Sequence, residues 1–338
     1  MATISDVILN NNWKATSVNK SSSVNAVLNS GIVATTGQEV VDLLNAINEQ
    51  NVQSKITTSL VSYPWAEGNL GDASGTVATA LDVGFEEVDV KTFYVNQWWN
   101  VKTIQKDLLA STTPNATVNE FMGRFWSESY NKIIASTITG IALDIPALVN
   151  GNGSATFTDN LVIDTMLLKG DLGMQGLYSM QMNSKTFASC KKKAPASFTQ
   201  TFGAPIMQVV NGVETTIAGR PNGWVYNGYV KVVIDDVMTD GKIALIDENA
   251  FAFAEKENIE KPLMYNEDSK AGNGAGSEDF GTKKLFILHP LGFTFVGVLG
   301  TDYANKTGLT LAELQGGGLY ELAVDVKLSP ITILWIAL

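Results

Sequence analysis

Few side chains in this sequence are equipped for chemistry, and they do not converge. His289 is the only histidine, set inside KLFILHPLGFTF and followed directly by Pro290. A Ser-His-Asp or Cys-His arrangement would have to use that strand residue, so a histidine satisfied by hydrogen bonds within a sheet is expected. Cys190 is the only cysteine and stands beside Lys191, Lys192 and Lys193. That setting can lower a thiol pKa, yet no candidate base accompanies it. One His and one Cys do not make the usual tetrahedral zinc set. The carboxylate pairs Asp235–Asp236 and Asp247–Glu248 would serve as acid and base if their environments split their pKa values. Each pair flanks a strand end in turn-like sequence, so solvated turns are expected, and the D-x-D-x-D-G calcium spacing is absent. Gly272-Asn273-Gly274-Ala275-Gly276 neither follows a clear strand nor opens a helix, and no G-x-x-x-x-G-K-[ST] occurs, which makes it a linker rather than a phosphate cradle. The expectation is no catalytic residue, no metal and no cofactor.

Composition narrows the function classes. The chain has 338 residues, of which 45% are hydrophobic and 17% charged, enough to bury a substantial core over about two domain-sized units. A net charge of −11 argues against a surface built to grip phosphate, since nucleic-acid binders release counterions through clustered cations. The one basic run, Lys191 to Lys193, has no interleaved aromatics and is expected at a solvated helix end. A single cysteine excludes an intrachain disulfide and fits assembly in a reducing cytoplasm. The N-terminus lacks a basic leader followed by an apolar run, so no secretory signal is expected. No apolar stretch reaches the roughly 18 residues of a membrane helix, and no membrane partner is expected.

The elements that would position these groups are mixed. Residues 1 to about 50 read as an arm, with one short helix over Gly37 to Gln50. Ile56 to Trp65 and Gly84 to Val101 read as two strands, joined by a glycine-rich tip with Gly68, Gly71 and Gly75. An isolated hairpin is marginal in water, so this arm is expected to lie on another surface, such as a neighbouring copy. Thr117-Val118-Asn119-Glu120 has the capping-box pattern, and Phe121, Phe125, Ile133, Ile134, Ile138 and Ile141 then recur at helical spacing until Pro146. About 26 residues would give roughly 39 Å of helix. A second helix is expected from Asp159 to about Leu172, a strand over Tyr178 to Met182, and a short helix capped by Ser184. Further strands are expected over Tyr229 to Ile234, Ile243 to Ile246, Lys284 to Val298, Leu319 to Val326 and Ile331 to Leu338, with a mobile loop from Glu255 to Gly281. Helices and strands without regular alternation indicate an α+β fold.

Four blocks, in order, resemble the major capsid proteins of tailed bacteriophages, which share the Hong Kong 97-type fold. The hairpin with FYVNQWWNVKTIQKDLLAS and VNEFMGRFWSESYNKIIASTITGI resembles an extended loop leading into a spine helix. FTDNLVIDTMLLKGDL with LYSMQMNSKTFASCKKK is similar to the axial domain's helix, strand and short helix. NGYVKVVIDDVM with KIALIDENAFAFAE resembles the family's paired strands, and KKLFILHPLGFTFVG is the fourth block.

The resemblance implies an N-terminal arm (1–50), an extended loop hairpin (51–105), the spine helix of a peripheral domain (106–146), an axial domain (147–280), and peripheral-domain strands returning to the axial domain (281–338). It implies a structural subunit, not an enzyme, that self-assembles as hexamers and pentamers into an icosahedral head around phage double-stranded DNA. Its partners would be its own copies, a scaffolding protein, the portal, and DNA held without sequence-specific binding. It would be assembled in the host cytoplasm and reside in the virion capsid. Subunit contacts are expected from Trp65, Glu67, Asn69, Leu70, Asp72, Thr76 and Val77, and helix packing from Phe121, Phe125, Ile133, Ile134 and Ile138. No long helical N-terminal extension is visible, which implies a separate scaffold. The alternatives are another virion component, such as a tail-tube or decoration protein, and a carboxylate-dependent hydrolase.

Overall fold

The computed structural model describes residues 32–35, 38–46, 55–62, 84–100, 114–172, 177–202, 206–210, 213–217, 221–256, 263–266, 279–297 and 309–338. In chain order it begins with β1 (Val33–Thr35), α1 (Gln38–Ala46), β2 (Lys55–Ser62) and β3 (Gly84–Asn100), then α2 (Pro114–Asp144) and β4 (Val149–Asn150). Next come α3 (Asp159–Met166), β5 (Leu177–Met182), α4 (Ser184–Lys193), β6 (Phe198–Phe202), β7 (Ile206–Val210), β8 (Val213–Ile217) and β9 (Pro221–Tyr226). The remainder is β10 (Val230–Ile234), β11 (Lys242–Asp247), β12 (Phe251–Glu255), β13 (Leu263–Asn266), β14 (Asp279–Pro290), β15 (Phe293–Phe295), α5 (Leu311–Gly316), β16 (Tyr320–Leu322) and β17 (Ile331–Trp335).

Two sheets share α2 between them. The first has the order β1-β12-β14-β3-β2, with β13 also on β14; the second has the order β4-β17-β11-β5-β10-β9-β6. Every residue from Ile133 to Ala142 is buried, so this stretch of α2 is enclosed on all sides rather than laid down by one stripe. The core around it takes Phe93, Phe251 and Phe286 from the first sheet and Val233, Ala244, Ile246, Ile331 and Ile333 from the second. The opposite face of the second sheet packs Met180, Met182, Ile243 and Leu245 under Val162 and Met166 of α3 and Cys190 of α4. Successive residues of β11 thus feed opposite cores, as a strand covered on both faces must.

Several expectations are corrected. α2 starts at Pro114 and has 31 residues, about 46 Å, so Thr117 lies inside the helix and is not its cap. Proline's fixed φ and missing N–H suit the first helical turn. The short helix expected over 37–50 is α1 as far as Ala46, and residues 47–50 lie outside the described set. The segment read as an arm is part of the body over 32–46: β1 pairs in parallel with β12, and Ile32 and Leu44 are fully buried. The cap of α4 is Asn183, whose side chain accepts from Thr186 N, one residue before the expected Ser184. The segments around 230–234 and 242–247 do not pair with each other, because β5 lies between them, parallel to β10 and antiparallel to β11. Part of the expected loop from 255 to 281 is strand: β12 ends at Glu255, and β13 pairs with the start of β14.

Candidate assembly surfaces

The groups singled out for chemistry are occupied with holding the fold. His289 is 4% exposed, and its Nε2 lies 2.8 Å from the Phe293 carbonyl oxygen, where the neutral ring donates. Burial lowers its pKa to about 4. Cys190 is buried, and desolvation pushes its thiol up to about 12 against the opposing pull of Lys193. The expected lowering by the lysine run is therefore reversed, because the side chain points into the α4 core while the lysines point away. Lys191 Nζ donates to the Pro195 carbonyl at 3.0 Å and stands 4.8 Å over the Trp224 ring, and Lys193 Nζ donates to the Ala337 carbonyl at 3.2 Å.

The acidic turn after β10 serves the start of α4. Ser184 N donates to Asp236 at 2.9 Å, and Asn183 Nδ2 donates to Asp240 at 2.6 Å and to the Met238 carbonyl at 3.0 Å. Bonds from Ser184 hold Asp236 below the usual carboxylate range, as Lys185 and Asn183 do for Asp240, whereas burial raises Asp235. Asp236 thus takes a first-turn amide of α4, complementing the positive end of the helix, while Asp240 holds the side chain of the capping Asn183. Asp247 pairs with buried Lys169, and burial raises its pKa. A cleft of about 260 Å³ opens between α2, β3 and α5, lined by Phe93, Val95, Phe125 and Leu314 with Lys132 at hand, and among the described residues its lining contains no carboxylate. Among the described residues no group of three or more His, Cys, Asp or Glu could hold a metal ion.

Among the described residues the β2–β3 ladder is the longest two-strand pairing that ends at an open sheet edge. β3 has 17 residues, about 56 Å of strand. Thr92 to Asn100 pair with β14 inside the first sheet, and Gly84 to Lys91 pair with β2. The root of the arm therefore belongs to the subunit's own body, which corrects the expectation that the whole hairpin needs a neighbour. Val88 and Val90 are buried with Leu44, Leu285 and Ile287, Asp89 N donates to Thr294 Oγ1 at 3.1 Å, and buried Lys91 holds its Nζ 5.8 Å from the Phe295 ring. Among the described residues β2 carries no strand on its outer edge. Such an edge is a template for strand addition.

The expected subunit contacts Trp65, Glu67, Asn69, Leu70, Asp72, Thr76 and Val77 lie outside the described residues. Of the expected helix-packing residues, Ile133, Ile134 and Ile138 are buried, Phe125 is half-buried, and the side chain of Phe121 lies outside the described set. Sequence reasoning passed over Trp126 and Tyr130, whose rings pack edge-on against Phe286 at 6.5 and 5.1 Å. The four-residue spacing of Met122, Trp126, Tyr130, Ile134 and Ile138 was the available signal.

No family model and no curated protein matches the sequence. Among solved structures, a chain from the satellite phage P4 procapsid including size determination (Sid) protein matches with a TM-score of 0.51 at 7% identity. That match covers 96% of this chain and 90% of that one. The chain has the fold of a tailed-phage capsid protein. Weaker similarity links this capsid fold to the capsid of the native GTA particle (TM-score 0.46, 15% identity, 91% of this chain and 89% of that one). It extends to the SrpI encapsulin of Synechococcus elongatus PCC 7942 (TM-score 0.40, 11% identity, 89% and 87%).

Proposed function

We propose that this chain is a major capsid protein, a structural subunit without enzymatic activity that builds the icosahedral head enclosing phage double-stranded DNA. The observation that carries the reading is a single fold correspondence running over 96% of this chain and 90% of the P4 procapsid chain. In this reading the β2–β3 ladder is the base of the extended loop, α2 is the spine of the peripheral domain, and the second sheet with α3 and α4 is the axial domain. The boundaries are those expected from the sequence, with 32–46 and 92–100 moved into the body. Copies assemble as hexamers and pentamers through head-to-tail contacts, which close into rings when the rotation permits. A scaffolding protein and the portal are the assembly partners, and the acidic balance lets the shell hold DNA without gripping it.

Electron microscopy and sedimentation of the expressed full chain test the proposal. Discrete hollow particles or curved arrays are expected. A cooperatively folded chain that stays monomeric at high concentration overturns it.

A further inference from the structure

The sequence holds six Asn-Gly pairs, and three of them have described side chains: Asn150-Gly151, Asn152-Gly153 and Asn227-Gly228. In such a pair the glycine nitrogen can attack the asparagine side-chain carbonyl, because no Cβ stands in the way. The fold treats the three differently. Asn150 lies in β4 opposite Leu334, and its Nδ2 donates to Thr165 Oγ1 at 3.0 Å and to the Leu161 carbonyl at 3.4 Å, which ties the side chain to α3. Asn227 bonds through its side chain to Tyr226, the residue before it. Asn152 is exposed, and its side chain turns toward its own loop: Oδ1 accepts from Ser154 N at 3.2 Å and from the Ser154 hydroxyl. A bond from a side chain to the amide two residues on closes a turn whose ring contains the nitrogen between them, here Gly153 N.

We infer that Asn152 is a self-modifying site, at which the Gly153 nitrogen closes on the side-chain carbonyl carbon and expels ammonia, and water then opens the ring to aspartate or isoaspartate. The bond from Gly153 N to Asn152 Cγ forms and the Cγ–Nδ2 bond breaks. The proton on Gly153 N goes to solvent, and the departing amide nitrogen takes one from solvent to leave as ammonia. Both Ser154 donors sit on Oδ1, the atom that carries the negative charge of the tetrahedral intermediate, an arrangement that lowers the barrier to acyl transfer. The Gly153 N–H reaches the Trp335 carbonyl oxygen only at 3.3 Å, past the usual range, so little holds its proton. Glycine is also obligatory there, since φ is +79° and a Cβ would stand 2.9 Å from Trp335 Nε1. The loop thus needs glycine at the position that leaves its asparagine open to attack. The change is one-way, adds a negative charge and, in isoaspartate, an extra backbone methylene between β4 and α3, and does not depend on the shell reading.

The full chain, folded and kept in warm, mildly alkaline buffer, is sampled over days, digested and mapped by mass spectrometry, with aspartate and isoaspartate peptides separated by chromatography. Asn152 should convert ahead of Asn150 and Asn227, and in denaturant, with the turn gone, that lead should shrink. Ser154→Ala removes one donor, worth about a fivefold change in rate. It should slow conversion at Asn152 by that factor and leave the rates at Asn150 and Asn227 unchanged. The order of the three sites needs no variant, so it stands as a test if Ser154→Ala fails to fold. No conversion at Asn152, conversion at Asn150 or Asn227 before it, or an undiminished lead in denaturant overturns the inference. So does a rate at Asn152 that Ser154→Ala leaves unchanged or raises in the folded chain.

Discussion

Replacing Glu255 by Gln should destabilise the subunit more than replacing its partner Lys284 by Met. Lys284 Nζ lies 2.9 Å from both carboxylate oxygens of Glu255 and 3.3 Å from the Tyr130 hydroxyl, and it stands 4.8 Å over the Trp126 ring. The side chains are 10% and 26% exposed, so the ammonium is nearly dry while the carboxylate keeps some access to water. Removing one member of a fully buried pair costs about 3–5 kcal/mol, because the other is left charged and unmatched. Here the Tyr130 oxygen and two aromatic faces remain, the latter worth about 1 kcal/mol. Partial exposure of Glu255 screens the pair further, which brings the expected cost of E255Q to about 2 kcal/mol. K284M removes the dry charge, keeps the packing of the stem and lets Glu255 turn to water, for about 1 kcal/mol or less. Adding E255Q to K284M should then cost little more. Urea denaturation of the unassembled subunit, followed by tryptophan fluorescence, gives the midpoints at constant slope. E255Q within about 0.5 kcal/mol of the parent, or K284M the more damaging of the two, would refute the reasoning.

Gly140→Ala should lower the melting temperature although alanine favours helix by about 1 kcal/mol. A Cβ there would stand 2.2 Å from the Leu314 carbonyl oxygen, so α5 must move off α2 at a net cost of about 1–3 kcal/mol; a raised melting temperature would contradict this. His289 makes stability depend on pH: its folded pKa of about 4 lies below the ordinary 6.5, so between these values the unfolded chain binds the extra proton. Stability is therefore held above pH 6.5 and falls by roughly 3 kcal/mol as the pH drops to 4. His289→Gln should flatten that part of the profile. Deleting Gly68 to Ala80, in the arm tip, should leave cooperative unfolding intact while abolishing shells, and normal shells from the deletion would remove the arm's assigned role.

The long elements were legible because their signals are long: α2 repeats apolar residues over many turns, and β3 is an unbroken run rich in aromatic and β-branched residues. The start of α2 was misread because Thr117 and Glu120 imitate a cap, whereas Pro114 supplies the entry by its fixed backbone angle. β1 was invisible because three residues carry no periodicity, and its pairing with β12 depends on chain more than 200 positions away. The β7–β8 hairpin had a signal that went unused, Asn211-Gly212 between two β-branched runs. Lys284 shows the opposite case: no local pattern marks a charged residue for burial when its partners come from β12 and α2. The carboxylates of the acidic turn were placed correctly in a turn, but the hold of Asp236 and Asp240 on the start of α4 follows only from β5 lying between β10 and β11.

The pairing of β3 with β14 sets a schedule for biosynthesis. Nearly 180 residues separate the end of one strand at Asn100 from the start of the other at Asp279, and synthesis at about 5–20 residues per second makes that a wait of roughly 10–35 s. Throughout that interval the nascent chain presents a long strand flank with no mate of its own. Neighbouring nascent chains on one messenger carry the same flank at the same time. Production of this subunit is thus most vulnerable to mispairing before its last fifth is made, and a chaperone that shields β3 would raise its yield more than one acting on the finished protein.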